Sequence, residues 1–329
     1  MSETTRKEKT FAQNIAVVSL GAAFCCFLWG SATPSIKIGY RLFAIQSADT
    51  ASIILFAGIR FFFAGILTVL AGSLFQSHDK KHRILFPRDF GAIKKVLALA
   101  SVQTVLQYFF YYGGLAHAAG VNAGIVLSTN VFASLLISVF AFHQEKLTFL
   151  KIAGCALGFA GVIFFSLAGA GTTETSFSLN GEGFVFLSCI CYGLSSCMIK
   201  QFSATEDPVM LSGWQFIAGG AFMSAVGFAS GGRVSGFTAK STLLLFYLCF
   251  ISSAAYTLWG LLLKFNPVSR VVIFGFLNPL FSVILSAIFL KEKTQTGFVI
   301  AAALILVCFG IILVNLNPSR KSKANRFTE

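Results

Sequence analysis

Charge is scarce in this chain. Only 11% of its 329 residues are Asp, Glu, Lys or Arg, and 56% are hydrophobic. An ordinary soluble domain carries about a quarter charged residues. So few charges cannot clothe a soluble surface, and the composition predicts a polytopic membrane protein. Proline is also rare, at six, while glycine reaches 30, a balance that suits close helix packing in lipid. No Asp or Glu stands in the middle of an apolar run. The eight cysteines, Cys25, Cys26, Cys155, Cys189, Cys191, Cys197, Cys249 and Cys308, all lie within apolar runs and never in CxxC spacing. They read as free thiols behaving as small hydrophobes. No metal-ligand spacing, phosphate loop or nucleophile–base constellation occurs, so no catalytic residue, metal or cofactor is expected. The net charge of +13 does not point to nucleic acid, because the basic residues sit in short loops and tails as the positive-inside pattern requires.

What is present is a series of ten apolar runs, at residues 13–38, 51–76, 93–114, 118–142, 149–169, 181–201, 210–229, 241–264, 268–290 and 296–316. Each is long enough to span about 30 Å of hydrocarbon. The first follows Arg6, Lys7 and Lys9, is too long for a cleaved signal, and reads as a retained transmembrane helix. Alternating sides along the chain puts eighteen Lys and Arg on the side of the N-terminus and six opposite, with Arg60 inside a run. That split predicts a multi-pass protein of the plasma or inner membrane with both termini cytoplasmic.

The runs repeat. Residues 120–146 align with 267–293 at an offset of 147, matching Glu145-Lys146 to Glu292-Lys293. Residues 26–37 (CFLWGSATPSIK) align with 189–200 (CICYGLSSCMIK), and 58–65 (GIRFFFAG) with 213–220 (GWQFIAGG). Each copy holds five helices, and an odd number forces the second copy upside down relative to the first. The expected fold is an all-α membrane protein of ten transmembrane helices in two inverted five-helix repeats. The expected units are a tail at 1–12, repeats at 13–169 and 181–316, a linker at 170–180, and a basic tail at 317–329.

With WG-x3-P in the first helix (Trp29, Gly30, Pro34), Arg60-Phe61 in the second, Pro279 in the ninth, and Glu145 and Glu292 closing the fourth and ninth, the chain resembles the drug/metabolite transporter superfamily. Within it, the likeness is to the ten-helix EamA-domain group. The resemblance covers residues 15–315. It implies export of small metabolites, often amino acids or their relatives, by alternating access. The family's usual proline in the fourth helix is absent. Phe132 stands at the position equivalent to Pro279, which leaves the proline break to the ninth helix.

Candidate site residues follow from polar groups inside apolar runs. Asn130, Ser134 and Ser138, and likewise Asn278, Ser282 and Ser286, recur at four-residue spacing on one helix face. The serines suit close packing, whereas an amide is costly in lipid, so Asn130 and Asn278 are candidates for a cavity. Gln107, Tyr108 and Tyr111, with Gln103 and Tyr112 beside them, and Tyr192 and Tyr256 further on, suit a small-molecule pocket; Trp29, Trp214 and Trp259 suit either that pocket or an interfacial belt. Arg60 is the one charge well inside a run. It either meets a substrate carboxylate or is structural, reaching an interface or backbone carbonyls. Pro34 and Pro279 are expected helix breaks. Glu145 and Glu292 are expected to pair with the adjacent Lys146 and Lys293.

The expected function is secondary transport of a small organic metabolite, with the lipid bilayer and that substrate as the partners and a monomer sufficient. A multidrug exporter of hydrophobic cations is the rival, and it would want an anionic cavity. An intramembrane enzyme or a sensor would need groups or domains that the sequence lacks. The absence of intramembrane acids argues for transport down a gradient, with protons as the alternative coupling ion.

Overall fold

The computed structural model describes residues 12–46, 48–76, 85–115, 117–118, 120–168, 178–291 and 297–316. Glu292, both tails and most of the expected linker lie outside the described residues. Among those described there is no strand. Ten long helices follow one another: α1 (Ile15–Leu42), α2 (Thr50–Gln76), α3 (residues 90–115), α4 (residues 120–141), α5 (Phe149–Ala168), α6 (Leu179–Phe202), α7 (Pro208–Ala229), α8 (Ala239–Phe265), α9 (Val268–Leu290) and α10 (Gly297–Asn315). All but α3 are long and apolar enough to cross a membrane. Helix α3 is equally long, but it contains a π-helical stretch, Ala100–Leu106, and its apolar run is diluted by Lys94, Lys95, Gln103 and Gln107. Several of the scarce acids start helices. Asp49 accepts from Ser52 N, Asp89 from Ala92 N, and Asp207 from Val209 N and Met210 N ahead of Pro208. Each satisfies backbone donors that a helix start leaves open.

Helix α2 packs along α7, α5 along α10, α1 against α8 and α9, and α6 against α3 and α4. Exchanging the two halves leaves this set of pairs unchanged, so the packing has pseudo-twofold symmetry. The α2–α7 seam shows its operation atom by atom. A Cβ on Gly58 would stand 2.4 Å from Ser224 N, and one on its counterpart Gly213 would stand 2.7 Å from Val69, the residue equivalent to Ser224. A Cβ on Gly65 would stand 2.6 Å from Gly213 O, and one on Gly220 would stand 2.8 Å from Gly58 O. Because Gly58 faces residues 220–224 while Gly65 faces 213–217, the two equivalent helices run antiparallel, and the repeats are inverted. Small residues let backbones touch in this way, where lipid supplies no hydrophobic drive. The same relation recurs at Gly30, pressed on Phe281 and Ser282, and at Gly193, pressed on Ala133 and Ser134.

The proline expectations divide. Helix α1 runs unbroken through Pro34, so Pro34 is not a break. Its missing N–H is tolerated within a continuous helix, beside Ser31 and Ser35, whose hydroxyls donate to Leu28 O and Ser31 O. Pro279 lies in the first turn after a 3-10 segment, Ile273–Phe276, that interrupts α9. Helix α4 is interrupted too, at Thr129, without any proline. There the Ser128 and Thr129 hydroxyls donate to Gly124 O and Val126 O, offering the backbone a local alternative to its ladder. Equivalent thiols serve both interruptions: Cys26 Sγ donates to Phe274 O at 3.2 Å and Cys189 Sγ to Val126 O at 3.4 Å. All eight cysteines are free, but these two, like Cys25, Cys197 and Cys249, donate to backbone carbonyls as well as filling space.

Both ends of the described chain lie on one face. Arg270 bridges Asn315 Oδ1 at 3.0 Å and Gln13 O at 3.4 Å. On the same face Glu145, 6% exposed, gathers four donors. They are Ser138 Oγ at 2.7 Å, Ser269 N at 2.9 Å, Ser269 Oγ, and Lys151 Nζ in a short contact. The expected partner Lys146 offers only its carbonyl, which accepts from Lys151 Nζ at 2.8 Å. The geometric reason is that Lys151 sits on the first turns of α5, turned back over the loop. Glu145 thereby ties the α4–α5 loop to the start of α9. Burial pushes its carboxyl up, but the bonds from Lys151, Ser269 and Ser138 outweigh burial and hold it below the usual carboxylate range.

Two measurements check this architecture by thermal unfolding of the purified protein. Gly220→Ala, whose new methyl would stand 2.3 Å from Phe62 N, is expected to destabilise by about 1–3 kcal/mol. Gly124→Ala, with nothing within 4 Å, should be neutral or stabilise by up to about 1 kcal/mol. Glu145→Gln strands Lys151 and should cost about 3 kcal/mol at neutral pH. A depressed carboxyl contributes stability above its unfolded value and loses it as pH falls through the folded one. The wild type should therefore lose stability below about pH 4, and the Gln variant should lose less there.

Candidate functional site

Helices α1, α2, α3, α7 and α8 bring their largest polar and aromatic side chains together beside the pseudo-twofold axis. Phe61 and Phe216 occupy equivalent positions in the repeat and stack on one another, with centroids 5.2 Å apart and planes at 14°. A side chain stacked on its own counterpart marks the axis. Tyr108 tilts against Phe61 at 4.5 Å, and Tyr256 stands edge-on to Phe216 at 5.0 Å. The Tyr108 and Tyr256 hydroxyls join across the axis at 2.7 Å. Trp29 packs edge-on against Tyr256 at 5.1 Å and Trp259 at 4.9 Å. Tyr111 and Tyr112 extend the group behind Tyr108.

Arg60 lies within this group and is 4% exposed. It is ten residues into α2, about 15 Å along a helix rising ~1.5 Å per residue, which is near the middle of a ~30 Å core. Its guanidinium carbon sits 4.4 Å over the Phe61 ring and 5.9 Å from that of Tyr108, close enough for cation–π attraction. Its Nε has no hydrogen-bond partner. Among the described residues no carboxylate pairs with the guanidinium and no backbone carbonyl accepts from it, so the carbonyl-serving role expected as one alternative finds no bond. Gln215, the equivalent residue on α7, accepts a hydrogen bond from Thr104 Oγ1 at 2.6 Å.

Trp29 Nε1 and Trp259 Nε1 in this ring group are also buried without partners, as are Gln103 Oε1 and Gln107 Oε1 on α3 and Gln215 Nε2 on α7. Buried polar groups are ordinarily satisfied, because leaving one bare costs free energy. A cluster of bare donors and acceptors is therefore chemically fitted to hold a polar molecule.

The expected site residues do not all meet. Arg60, Tyr108, Tyr111 and Tyr256 share the group just described, and Gln107 precedes Tyr108 on α3. Tyr192 stands at the position equivalent to Trp29, half-buried against the core. Asn130 and Asn278 lie at the α4 and α9 interruptions. Asn130 Oδ1 is buried without a partner and faces Gly275, where an added Cβ would lie 3.7 Å away. Asn278 is half-buried and makes no hydrogen bond among the described residues. The serines mostly pack: Ser134 bonds back to Asn130 O at 2.7 Å under Gly193. Trp214 belongs to the face of the chain ends, where its Nε1 donates to Leu85 O at 2.7 Å. Residue-by-residue reading passed over the Phe61–Phe216 stack, although the alignment of residues 58–65 with 213–220 places them opposite.

A crystal structure superposes on this fold with a TM-score of 0.71 over 93% of this chain and 98% of that one, at 18% identity, a likeness of fold alone. The uncharacterized transporter YvbV of Bacillus subtilis is 27% identical over 311 residues, covering 92% of each chain. A WAT1-related chloroplastic protein of Arabidopsis thaliana is 25% identical over 264 residues, 78% of this chain and 62% of its own length. The model of the EamA-like transporter family matches residues 16–167 and again 179–316. Matched twice, over two stretches that the α2–α7 seam relates by inversion, the chain belongs to the EamA-like transporter family and is a multi-pass membrane transporter, not an enzyme.

Proposed function

We propose that this transporter moves a small organic metabolite, an amino acid or a close relative, out of the cytoplasm by alternating access around the axis between the repeats. The observation that carries the reading is the buried cluster of unpartnered polar atoms beside stacked Phe61 and Phe216. Such a place, between inverted repeats at mid-membrane, is where secondary transporters hold substrate. Gln107, Tyr108, Tyr111, Tyr192, Tyr256, Arg60, Asn130 and Asn278 line the route, the two asparagines at the helix interruptions. The repeats act as units at 13–169 and 181–316, and one copy of the chain suffices. A hydrophobic-cation exporter is disfavoured because the buried charge is a cation, Arg60.

The test is uptake of labelled amino acids and related metabolites into proteoliposomes, with and without a pH gradient. We expect saturable flux without a gradient, cut by about tenfold in Gln107→Ala. Flux of a lipophilic cation and of no amino acid rejects the reading, and flux only with a proton gradient replaces uniport with proton coupling. The positive-charge asymmetry predicts both termini in the cytoplasm, beneath the plasma or inner membrane. A C-terminal reporter fusion active only on the cytoplasmic side checks that orientation.

A further inference from the structure

We propose that Arg60 is the anion-recognising group of the transport site and that the transported compound carries a carboxylate. The proposal rests on the transport reading above and adds the residue that recognises the carboxylate of the substrate. A guanidinium buried at mid-membrane without a counter-charge is costly. Stacking on Phe61 and the approach to Tyr108 return part of that cost, but they leave Nε bare. The pseudo-twofold shows that packing does not require a cation at this place. The equivalent position in the same seam holds the neutral Gln215, whose Oε1 accepts from Thr104 while its Nε2 stays without a partner. The charge on one side of the axis only is then a feature of recognition, since symmetry-related surroundings accept an amide.

The neighbouring groups fit the same class. Trp29 and Trp259 each hold a buried indole N–H with no acceptor, and both pack in the ring cluster that contains Tyr256. An indole N–H can only donate. The planar guanidinium matches the two oxygens of a carboxylate, and charge-assisted bonds of this kind are strong. The rings of Phe61, Tyr108 and Tyr256 offer an apolar wall for the remainder of the molecule. The Tyr108 and Tyr256 hydroxyls bond to one another across the axis. A lipophilic cation would face Arg60 with no compensating acid.

The experiment is thermal unfolding of the purified full-length protein at pH 7 against matched acids and amides: leucine and leucinamide, phenylalanine and phenylalaninamide, benzoate and benzamide, with tetraphenylphosphonium as the cationic probe. At least one acid should raise the melting temperature in a saturable way, with its amide roughly 30-fold weaker or worse. Arg60→Gln, which copies the residue of the other half, should abolish that preference, and Arg60→Lys should keep part of it. The proposal is overturned if amides bind as tightly as acids, if only the phosphonium binds, if no acid stabilises the protein, or if the Gln variant keeps the preference. Should the Gln variant fail to fold, the wild-type acid-to-amide ratio and the Lys variant decide. Binding of acids without flux in proteoliposomes would reject the transport reading and leave Arg60 as an anion site. Flux without acid preference would reject the role of Arg60 alone.

Discussion

The close backbone contact between α2 and α7 is the constraint on which the rest of the structure depends. Gly58, Gly65, Gly213 and Gly220 leave no room for a side chain, so two equivalent helices meet face to face and antiparallel. That single contact sets the pseudo-twofold axis. It stacks Phe61 on Phe216 and leaves their neighbours, Arg60 and Gln215, at equivalent depths. Helices α1, α3 and α8 then supply the rings that surround the pair. In lipid, where apolar burial between helices gains little, such fit between small residues is what makes an interface specific.

Symmetry in the backbone makes departures in the side chains informative. One repeat carries Arg60 where the other carries Gln215. One interrupts its helix with Pro279 preceded by a 3-10 turn, the other with the Ser128 and Thr129 hydroxyls. Both interruptions still hand a carbonyl, Phe274 O or Val126 O, to an equivalent cysteine. Backbone that leaves its ladder at membrane depth must find a partner inside the protein, and a thiol on the facing helix meets that need twice. The face of the chain ends is tied by Glu145, held by Lys151 and Ser269.

Much of the architecture was legible in advance because lipid makes composition and run length speak directly. The ten apolar runs became the ten helices, and α3, the least apolar, carries the polar and aromatic residues that run length alone would not reveal. Arg60, Tyr108, Tyr111 and Tyr256 stood out as polar groups in apolar surroundings and came together. Asn130 and Asn278 stood out for the same reason and lie at the helix interruptions, where a costly amide stands beside broken backbone. Pro34 misled: a missing N–H inside a long helix leaves one carbonyl without its usual donor and need not bend the chain.

The amino-acid sequence by itself determined that this is a membrane protein, how many times it crosses, that its halves are related, and that the second is inverted. Each follows from counting, since hydrocarbon thickness, side-chain period and an odd number of helices leave few alternatives. Only the tertiary structure decided which polar groups share a compartment and which are satisfied elsewhere. Partnership depends on angles around helix axes and on contacts between residues far apart in the chain. Glu145 chose Lys151 over its neighbour Lys146, and Arg60 was left with an aromatic ring and no acid, for reasons that exist only once the helices are packed.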